Sequence, residues 1–370
     1  MRKRTWTIAA GVGLAAGVAV AAGLVAAGSS QGQGLTKVTL QSKWVVQSQF
    51  AGYYVAREKG YYRQAGLDVT IKAGGPDISP EQVVLGRQAQ FGINWMGSTL
   101  TQRDTGNDLV NIAQVYARSG TTQVTFKKDN IRTFRQMRGK NFGVWIYGNE
   151  FEQRAALVKY GMDPDKDVKL VKQNFDMLAF LNGEIDSASA MTYNELAQVL
   201  EVKNPDTGKL FKMSELKVYK YSDLGTGMLQ DGIFVRGDWI KDTTNQATAV
   251  KFLEASFKGW IYCRNHLAEC TNIVLKNGPA LPKGHQRWQM NEVNALIWPN
   301  RLGIGLMDPV EFKRTATIAK TYKVIKKPAT RAAYRTDLAK KAIANLRKAG
   351  WDVTGKSFKK SVVTLKEGGK

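Results

Sequence analysis

The 370-residue sequence contains only two cysteines and two histidines. Two cysteines exclude a disulfide-rich scaffold and a Cys-rich zinc or iron–sulfur site. The histidines, His266 and His285, lie too far apart in the chain to form a metal-ligand pair on one helix, so no His-based metal cage can be assembled. The residues that most enzymes use for acid–base and metal chemistry are therefore scarce, and the sequence predicts no bound metal and no cofactor.

The rest of the composition is that of an ordinary globular chain, with 43% hydrophobic and 23% charged residues. Its length suggests two domains. Lys and Arg number 54 against 31 Asp and Glu, and the resulting net charge of +23 brings nucleic acid, an anionic membrane and an acidic protein into consideration as partners. The basic residues are scattered, however, apart from a denser run over residues 331–370. We therefore expect a solvated basic surface, no nucleic-acid partner and a monomer.

The N-terminal residues have the pattern of a targeting segment. Arg2, Lys3 and Arg4 precede an uncharged stretch over residues 6–28. Small residues before the expected cleavage point suit a signal peptidase, so we predict a signal peptide over residues 1–27 and a polar leader over residues 28–34. The alternative is an uncleaved anchor, since the uncharged stretch is long enough to cross a bilayer. We expect an exported, periplasmic or extracytoplasmic protein, which stays membrane-tethered if the segment is retained.

Short β-branched runs alternate with helical patterns along the mature chain, which is typical of βαβ units. The predicted strands form two series, at residues 37–40, 67–71 and 89–93, and at residues 139–145, 168–171 and 185–190. We therefore predict an α/β protein with two lobes, each a mostly parallel sheet flanked by helices. The expected boundaries are residues 35–125 for the first part of lobe 1, 126–223 for lobe 2, 224–345 for the return to lobe 1 with a helical C-terminal part, and 346–370 for a basic tail.

Helix-start signals occur beyond several predicted strands, where open parallel sheets bind their ligands. Ser79, followed by Pro80, has the pattern of an N-cap, and Asn149 and Thr192 each stand three residues before a carboxylate, as in a capping box. Ser48 is expected to cap the helix that follows the first strand. The alternative for each position is plain helix capping without a role in binding.

Aromatic residues crowd the same turns. Trp44 follows the first predicted strand, Trp95 follows the third, and Trp145 and Tyr193 belong to the second series. A core Trp usually lies within a helix or strand, whereas an aromatic residue at a strand end can sandwich a flat ligand. The sequence therefore indicates a site for a flat ligand at these turns, although each residue could instead belong to the core.

Many segments together resemble one known superfamily. They are KW at 43–44, QFAGYYVA at 49–56, EKGYY at 58–62, GGPDISPEQ at 74–82, GVW at 143–145, GNE at 148–150, FLNGEID at 180–186, MTYNE at 191–195, MLQDGIF at 228–234 and WQMNE at 288–292. The chain is similar to the thiamine pyrimidine synthase-like superfamily, which includes exported solute-binding proteins of ABC importers and intracellular pyrimidine-forming enzymes. The later segments resemble the bacterial importer branch that takes up pyrimidine precursors of thiamin.

The resemblance implies a two-lobed periplasmic-binding-protein fold that closes around a small ligand. It implies a pyrimidine as the ligand, an ABC permease with its ATPase as partners, and a binding protein rather than an enzyme. The residues expected to bind the ligand are Trp44, Gln49, Phe50, Asn94, Trp95, Trp145, Gly148, Asn149, Glu150, Tyr193, Glu195 and Asp231.

The enzymes of the superfamily provide the main alternative function. They form the pyrimidine phosphate from pyridoxal phosphate and a histidine of their own, with iron. The resemblance would place their Schiff-base lysine at Asn94 and their donor histidine at Ser98, and their Cys-rich segment near residues 227–231, which contain no Cys. An amide cannot form a Schiff base, and a hydroxyl cannot donate an imidazole. The sequence therefore favours a binding protein.

A 4-amino-2-methylpyrimidine is flat and largely uncharged, so it needs stacking faces and a carboxylate that accepts its amine hydrogens. Trp44 with Trp145 or Tyr193 would supply the faces, and Glu195 or Glu150 would supply the carboxylate. A sulfonate binder would instead need Arg, Lys or converging hydroxyl groups in these turns. Hydroxyl groups are present there, so another small solute such as a sulfonate stays open as the ligand.

The two cysteines leave a further alternative open. Along one unbroken helix Cys263 and Cys270 would lie ~10.5 Å apart, too far for a disulfide that needs Cα atoms within ~7 Å. A helix end at residues 264–266 would let the pair close, and export favours a disulfide. The sequence is compatible with both states.

Overall fold

The computed structural model describes residues 34–146 and 148–370. The expected signal peptide at residues 1–27, and nearly all of the polar leader, lie outside the described residues. Within the described ranges, no helix combines the length and the apolar character that a membrane crossing requires. Residues 35–370 form a single unit by their contacts.

Six strands fall close to their predicted positions. Four more strands, β4, β5, β9 and β10, are not predicted from the sequence. The strands are β1 (Thr36–Gln41), β2 (Leu67–Lys72), β3 (Phe91–Asn94), β4 (Leu109–Gln114), β5 (Thr121–Phe126), β6 (Asn141–Val144), β7 (Lys169–Lys172), β8 (Ala188–Met191), β9 (Leu216–Lys220) and β10 (Gly232–Arg236).

The α-helices lie between and after these strands, and the chain after β10 is mainly helical, as expected. The helices are α1 (Ala51–Glu58), α2 (Tyr61–Gln64), α3 (Pro80–Leu85), α4 (Met96–Asp104), α5 (Phe151–Lys159), α6 (Leu178–Leu181), α7 (Glu195–Leu200), α8 (Thr243–Asn265), α9 (Leu267–Asn277), α10 (Lys283–Ile297), α11 (Pro309–Thr321) and α12 (Asp337–Lys348).

The strands form a first sheet in the order β2-β1-β3-β10-β4 and a second group in which β8-β5-β9 lies beside the pair β6-β7. A bridge between Phe142 and Ser187 joins β6 to the chain entering β8. The expected parallel pairing holds for β1 with β2 and β3, and for β6 with β7. The pairs made by β5 and β10 are antiparallel, because the chain passes between the sheets just before each of these strands and enters in the opposite direction.

Two segments carry the chain between the sheets, residues 115–120 from β4 to β5 and residues 221–231 from β9 to β10. The buried carboxylate of Glu152, in the first turn of α5, accepts the Ser119 hydroxyl at 2.8 Å from one segment and the Met228 N–H at 2.6 Å from the other. Burial raises the pKa of Glu152 to about 7, although these hydrogen bonds oppose the shift. The two crossing segments are thus bonded to one acidic side chain.

The largest hydrophobic core packs the first sheet against α1, α8 and α10. Gly52 of α1 and Gly259 of α8 allow these two helices to meet closely. A Cβ added at Gly259 would lie 1.9 Å from the Gly52 carbonyl oxygen, and a Cβ added at Gly52 would lie 2.3 Å from the Trp260 ring. Since non-bonded atoms cannot approach so closely, only glycine fits at either position.

Of the predicted N-caps, Ser79 is confirmed and the others are wrong. The Ser79 hydroxyl accepts the Gln82 N–H, with Pro80 at the first helical position. The helix expected after Asn149 begins at Phe151, and the helix expected after Thr192 begins at Glu195, one residue after Asn194. Both carboxylates of the expected capping boxes are buried. Glu152 accepts the Met228 N–H, 76 residues away, whereas Glu195 accepts the Met191 N–H, one residue before the expected cap.

Ser48 does not cap α1 either. Its N–H donates to the Gln286 side-chain oxygen at 2.7 Å, and its hydroxyl donates to the Gln286 carbonyl at 2.9 Å. Ser48 begins a short 3₁₀ turn that precedes the helix. A bond to α10 therefore replaces the local cap.

Cys263 and Cys270 form a disulfide, with their Cα atoms 5.4 Å apart. The helix break that this needs is present, since α8 ends at Asn265 and α9 begins at Leu267. His266 between them has φ −131° and ψ 58°, which is outside the helical region.

Gly259→Ala is expected to destabilise the protein by about 2 kcal/mol or more, because the added methyl group would force α1 and α8 apart. Thermal unfolding followed by circular dichroism would show a melting temperature several degrees lower. Gly75→Ala is the matched control, since a Cβ there meets no atom within 4 Å, and it should change stability by less than about 0.5 kcal/mol. Equal melting temperatures for the two variants would contradict the close approach.

Glu152 should make the protein less stable as pH rises. Its pKa in the folded protein is about 7, above the ordinary value of 4.5, so the folded state binds the proton more tightly than the unfolded state. The stabilisation that this tighter proton binding gives is fully present below pH 4.5. It is lost as pH rises to about 7, which lowers the free energy of unfolding by up to about 3 kcal/mol. Denaturant unfolding across this range should show a shallower decline for Glu152→Gln, which does not ionise and whose amide oxygen can still accept the Met228 N–H. The exposed variant Glu184→Gln should behave as wild type, and identical pH profiles for all three proteins would contradict the assignment.

Candidate functional site

A pocket lies where the chain leaving β1 and β3 of the first sheet meets the chain leaving β6 and β8 of the second group. It contains about 400 Å³ of space free of protein atoms, part of it open to solvent. Its walls include one aromatic side chain from just beyond each of the four strands. These are Trp44, Trp95, Trp145 and Tyr193. Strand ends from both sheets therefore build a single pocket.

The four aromatic walls are held by neighbouring groups. The Trp95 indole N–H donates to Asp231 Oδ1 at 2.9 Å, and the Trp145 indole N–H donates to the Asn174 carbonyl at 3.1 Å. Trp44 packs edge-on against Phe175, with ring centroids 4.9 Å apart. Trp95 and Tyr193 are almost fully buried, whereas Trp44 and Trp145 are half-buried. The pocket is thus a slot with aromatic faces at fixed positions.

Asp231 lies behind the pocket and orients two of its side chains. One carboxylate oxygen accepts the Trp95 indole N–H, and the other accepts the Gln49 amide at 2.8 Å. Burial raises the pKa of Asp231, while the Gln49 bond and the nearby Lys43 amine oppose the shift. Asp231 therefore acts through Gln49 and Trp95 and does not itself line the pocket.

Glu195 lines the pocket and belongs to a buried polar network. Its oxygens accept the Met191 N–H at 2.9 Å and the Asn194 amide at 2.5 Å. Behind Asn194, the two ring nitrogens of His285 face acceptors, Asn194 Oδ1 at 2.8 Å and the Glu201 carboxylate at 3.0 Å. Because His285 occupies Asn194 Oδ1, the Asn194 amide nitrogen points toward Glu195.

The carboxylate of Glu195 is buried, and this burial raises its pKa. Each of its oxygens has one hydrogen bond within the protein, and a carboxylate offers about four lone-pair positions. Glu195 can therefore still accept hydrogen bonds from a ligand in the pocket.

Lys43 is a pocket residue that the sequence analysis did not select. Its amine is buried, donates to Asn94 Oδ1 at 2.7 Å and lies 4.7 Å from the centroid of the Trp95 ring. Burial lowers the pKa of Lys43, and the nearby carboxylates of Glu81 and Asp231 oppose the shift. Its position directly before Trp44, in the turn after β1, is the signal that could have identified it.

The structure brings most of the predicted binding residues together. Seven line the pocket, namely Trp44, Gln49, Trp95, Trp145, Asn149, Tyr193 and Glu195. Asn94, Gly148 and Glu150 line a second, adjoining cavity. Phe50 is fully buried in the hydrophobic core, because it precedes α1 on the side that faces the first sheet and α8. The pocket also includes Lys43, Gln47, Met191 and Asn194, which the sequence analysis did not single out as binding residues.

The pocket can therefore stack a flat ring and bind polar atoms at its edge with amides, one carboxylate and one amine. In the described part of the chain, no group of three or more His, Cys, Asp or Glu side chains is arranged to hold a metal ion.

The sequence is similar to several characterised or named proteins. The putative binding protein YtlA of Bacillus subtilis is 26% identical over 254 residues, which cover 67% of this chain and 72% of YtlA. The riboflavin-binding protein RibY of Chloroflexus aurantiacus is 24% identical over 298 residues, covering 76% of this chain and 79% of RibY. A putative thiamine biosynthesis protein of Haemophilus influenzae is 22% identical over 152 residues, covering 41% of this chain and 48% of that protein. The chain thus aligns with about half of the length of the Haemophilus protein.

The fold is also found in solved structures. The putative sulfonate-binding protein SsuA of Methylobacillus flagellatus superposes with a TM-score of 0.57 at 13% identity, covering 86% of this chain and 96% of SsuA. This likeness confirms the predicted two-lobed α/β fold of periplasmic binding proteins. A family model described as "NMT1/THI5 like" matches residues 47–269, which are more than half of the chain. This range includes every residue that lines the pocket except Lys43 and Trp44. The chain therefore belongs to the NMT1/THI5-like family.

Proposed function

We propose that this protein is an extracytoplasmic solute-binding protein that delivers a thiamin pyrimidine precursor, of the 4-amino-2-methylpyrimidine type, to an ABC importer. The observation that carries the proposal is the pocket itself. Four aromatic side chains from four strand ends surround a narrow space, and a buried carboxylate, Glu195, lies at its edge. The partners would be the permease and the ATPase of the importer.

The pocket suits a flat heteroaromatic ring. Stacking on an aromatic side chain contributes roughly 0.5–1.5 kcal/mol beyond area burial. The exocyclic amine can donate to Glu195, and the amides of Gln49 and Asn194 are near enough to the pocket to meet ring nitrogens. The walls thus contain an acceptor for the amine and amide groups beside the ring.

Two of the relatives named above support a solute-binding role, and the third supports a link to thiamin. YtlA is named as a putative binding protein, RibY as a riboflavin-binding protein, and the Haemophilus protein as a putative thiamine biosynthesis protein. Riboflavin and the thiamin pyrimidine both contain a flat nitrogen heterocycle. A binding function for a nitrogen heterocycle is therefore consistent with both the names and the aromatic slot.

A sulfonate fits the pocket less well. Among the described residues that line it, Lys43 is the one cationic side chain, and its amine is bonded to Asn94. Glu195 faces the same space, and a sulfonate placed beside that carboxylate would be repelled. A neutral ring with an amine avoids this cost.

The enzymatic alternative lacks its reactive groups. Asn94, at the position expected for the Schiff-base lysine, donates to Glu81 and accepts from Lys43. Ser98, at the position expected for the donor histidine, donates to the Gly148 carbonyl. Neither side chain can supply the nitrogen chemistry of that reaction.

The purified protein is therefore expected to form no pyrimidine phosphate when incubated with pyridoxal phosphate and iron(II) in air. Mass spectrometry of the reaction mixture would detect the product. Formation of a pyrimidine phosphate, together with loss of a residue's side chain from the protein, would overturn the proposal in favour of the enzyme.

Glu195→Gln should weaken binding of 4-amino-5-hydroxymethyl-2-methylpyrimidine by roughly 10- to 100-fold, about 1.5–3 kcal/mol, because the charged acceptor of the amine is lost. Calorimetry should show a much smaller loss for an analogue without the 4-amino group. Wild-type affinity should also fall as pH is lowered through the pKa of Glu195, which lies above the ordinary value of 4.5.

Glu195 also accepts hydrogen bonds from Met191 and Asn194, so its replacement can affect folding as well as binding. The ratio of the affinity for the aminopyrimidine to the affinity for the analogue without the amino group separates these two effects. The exposed variant Glu184→Gln is the control and should keep the wild-type ratio. An unchanged ratio in Glu195→Gln, with a lower melting temperature, would show that Glu195 is structural, and Glu150 would then be the residue to test.

A further inference from the structure

A second cavity, the side cavity, adjoins the aromatic pocket and shares Lys43, Trp44 and Asn149 with it. It contains about 1350 Å³ of space free of protein atoms, including space open to solvent. The rest of its wall comes from residues 75–81, from Asn94 at the end of β3, from the first turns of α4 and from residues 148–151. Because the two spaces have a common wall, a substituent on a ring bound in the pocket can extend into the side cavity.

The charge of the side cavity is opposite to that of the whole chain. Three carboxylates line it, Asp77, Glu81 and Glu150, together with one amine, that of Lys43. The full sequence has a net charge of +23, so a negatively charged cavity is not a consequence of composition. No Arg occurs among the described lining residues. The amine of Lys43 is already bonded to Asn94 Oδ1 at 2.7 Å.

The carboxylates of the side cavity keep the capacity to accept further hydrogen bonds. Glu81 accepts the Asn94 amide at 2.7 Å and the Ser79 hydroxyl at 3.1 Å, and Glu150 accepts the Gly148 N–H at 2.8 Å. Each carboxylate therefore has lone-pair positions left over. Hydroxyl groups of Ser98 and Thr101 line the same space. The cavity is rich in acceptors and suits a ligand group that donates.

A phosphate group would be disfavoured in this cavity. Phosphate sites in proteins use Arg, Lys or backbone N–H groups at helix N-termini. The N-terminal ends of α3, α4 and α5 do line this cavity, but carboxylates already stand at two of them, Glu81 in the first turn of α3 and Glu150 at the start of α5. Here a dianion would lie beside three carboxylates, and like charges held close together in a partly buried site repel strongly. Such repulsion weakens the binding of a phosphorylated ligand without requiring any further contact with the unphosphorylated one.

We propose that the side cavity receives a hydrogen-bond-donating, non-anionic arm of the ligand, a hydroxylated or amino-bearing substituent on the heteroaromatic ring, and that its carboxylates reject the phosphate ester of the same ligand. This inference rests on the proposed function, because it assumes that the aromatic pocket holds the ring. It narrows the ligand class to heteroaromatic compounds in their unphosphorylated form.

The test compares ligand pairs that differ by one phosphate. The first pair is 4-amino-5-hydroxymethyl-2-methylpyrimidine and its phosphate ester, and the second is riboflavin and flavin mononucleotide. Calorimetry with the mature protein should show that, for whichever ring binds, the alcohol binds at least about 10-fold more tightly than the phosphate. The difference should shrink as ionic strength rises, since salt screens the repulsion.

The double variant Asp77→Asn/Glu150→Gln removes two of the three carboxylates and keeps the shape of both side chains. It should narrow the alcohol-to-phosphate ratio to a few-fold, mainly by improving phosphate binding. The control Asp129→Asn/Asp206→Asn removes the same amount of charge from exposed positions outside both cavities and should keep the wild-type ratio. If Glu150→Gln impairs folding, Asp77→Asn alone, at an exposed position, should still narrow the ratio.

The outcomes separate the two proposals. If the pyrimidine alcohol binds but its phosphate binds equally well or better, the inference about the side cavity is overturned and the proposed function stands. If only riboflavin and its phosphate bind, the proposed pyrimidine ligand is overturned, and the ratio of their affinities still tests the side cavity. If the control variant narrows the ratio as much as the cavity variant, overall charge and not the side cavity causes the discrimination, and the inference is again overturned. If neither ring binds in either form, the proposed function fails and this inference fails with it.

Discussion

The two segments that pass between the sheets run side by side, and the remainder of the structure depends on how they are bonded together. The side chain of Gln230 accepts the Gly120 N–H at 2.8 Å and donates to the hydroxyls of Ser119, in the other segment, and of Thr121, the first residue of β5. Glu152 adds a bond to each segment from α5. These groups are buried, so an unpaired one would cost more than a hydrogen bond gains. The polar bonds therefore specify one relative placement of the segments, and with it the placement of the strands that follow them.

The pocket is built outward from this junction. Asp231 directly follows Gln230 in the chain and orients Gln49, in the turn before α1, and Trp95, directly after β3. From the second group of strands, Asn194 and Glu195 enter the pocket, supported by His285 of α10. The walls are thus aromatic, while the layer behind them is polar and hydrogen-bonded. This arrangement holds stacking faces at set positions, which a purely apolar lining would specify less strictly, because apolar contacts are not directional.

Local patterns predicted six of the ten strands and few of the polar contacts. The β-branched runs that become β1, β2 and β3 are found within two residues of their predicted positions, because backbone preference and burial agree there. The capping boxes at Asn149 and Thr192 failed for a specific reason. At Thr192 the carboxylate of Glu195 accepts the Met191 N–H, one residue before the expected cap. At Asn149 the carboxylate of Glu152 is buried against the Met228 N–H, 76 residues away in the chain, which a local pattern does not reveal. Ser48 shows the same effect, since its partner Gln286 lies 238 residues away in the chain.

The amino-acid sequence by itself determined the α/β class, the order of most strands and the concentration of aromatic residues at strand ends, because these depend on periodicity and on neighbours in the chain. Through the family resemblance it also predicted that Asn94 and Ser98 stand where the related enzymes would have lysine and histidine. Only the tertiary structure decided that Phe50 belongs to the core, that Asp231 supports the pocket from behind, and that Lys43 lines it. It also decided that three carboxylates gather in one cavity of a basic protein. These outcomes depend on contacts between residues far apart in the chain, such as Gln49 and Asp231, which are 182 positions apart, and side-chain orientation at that range is set by packing rather than by local sequence.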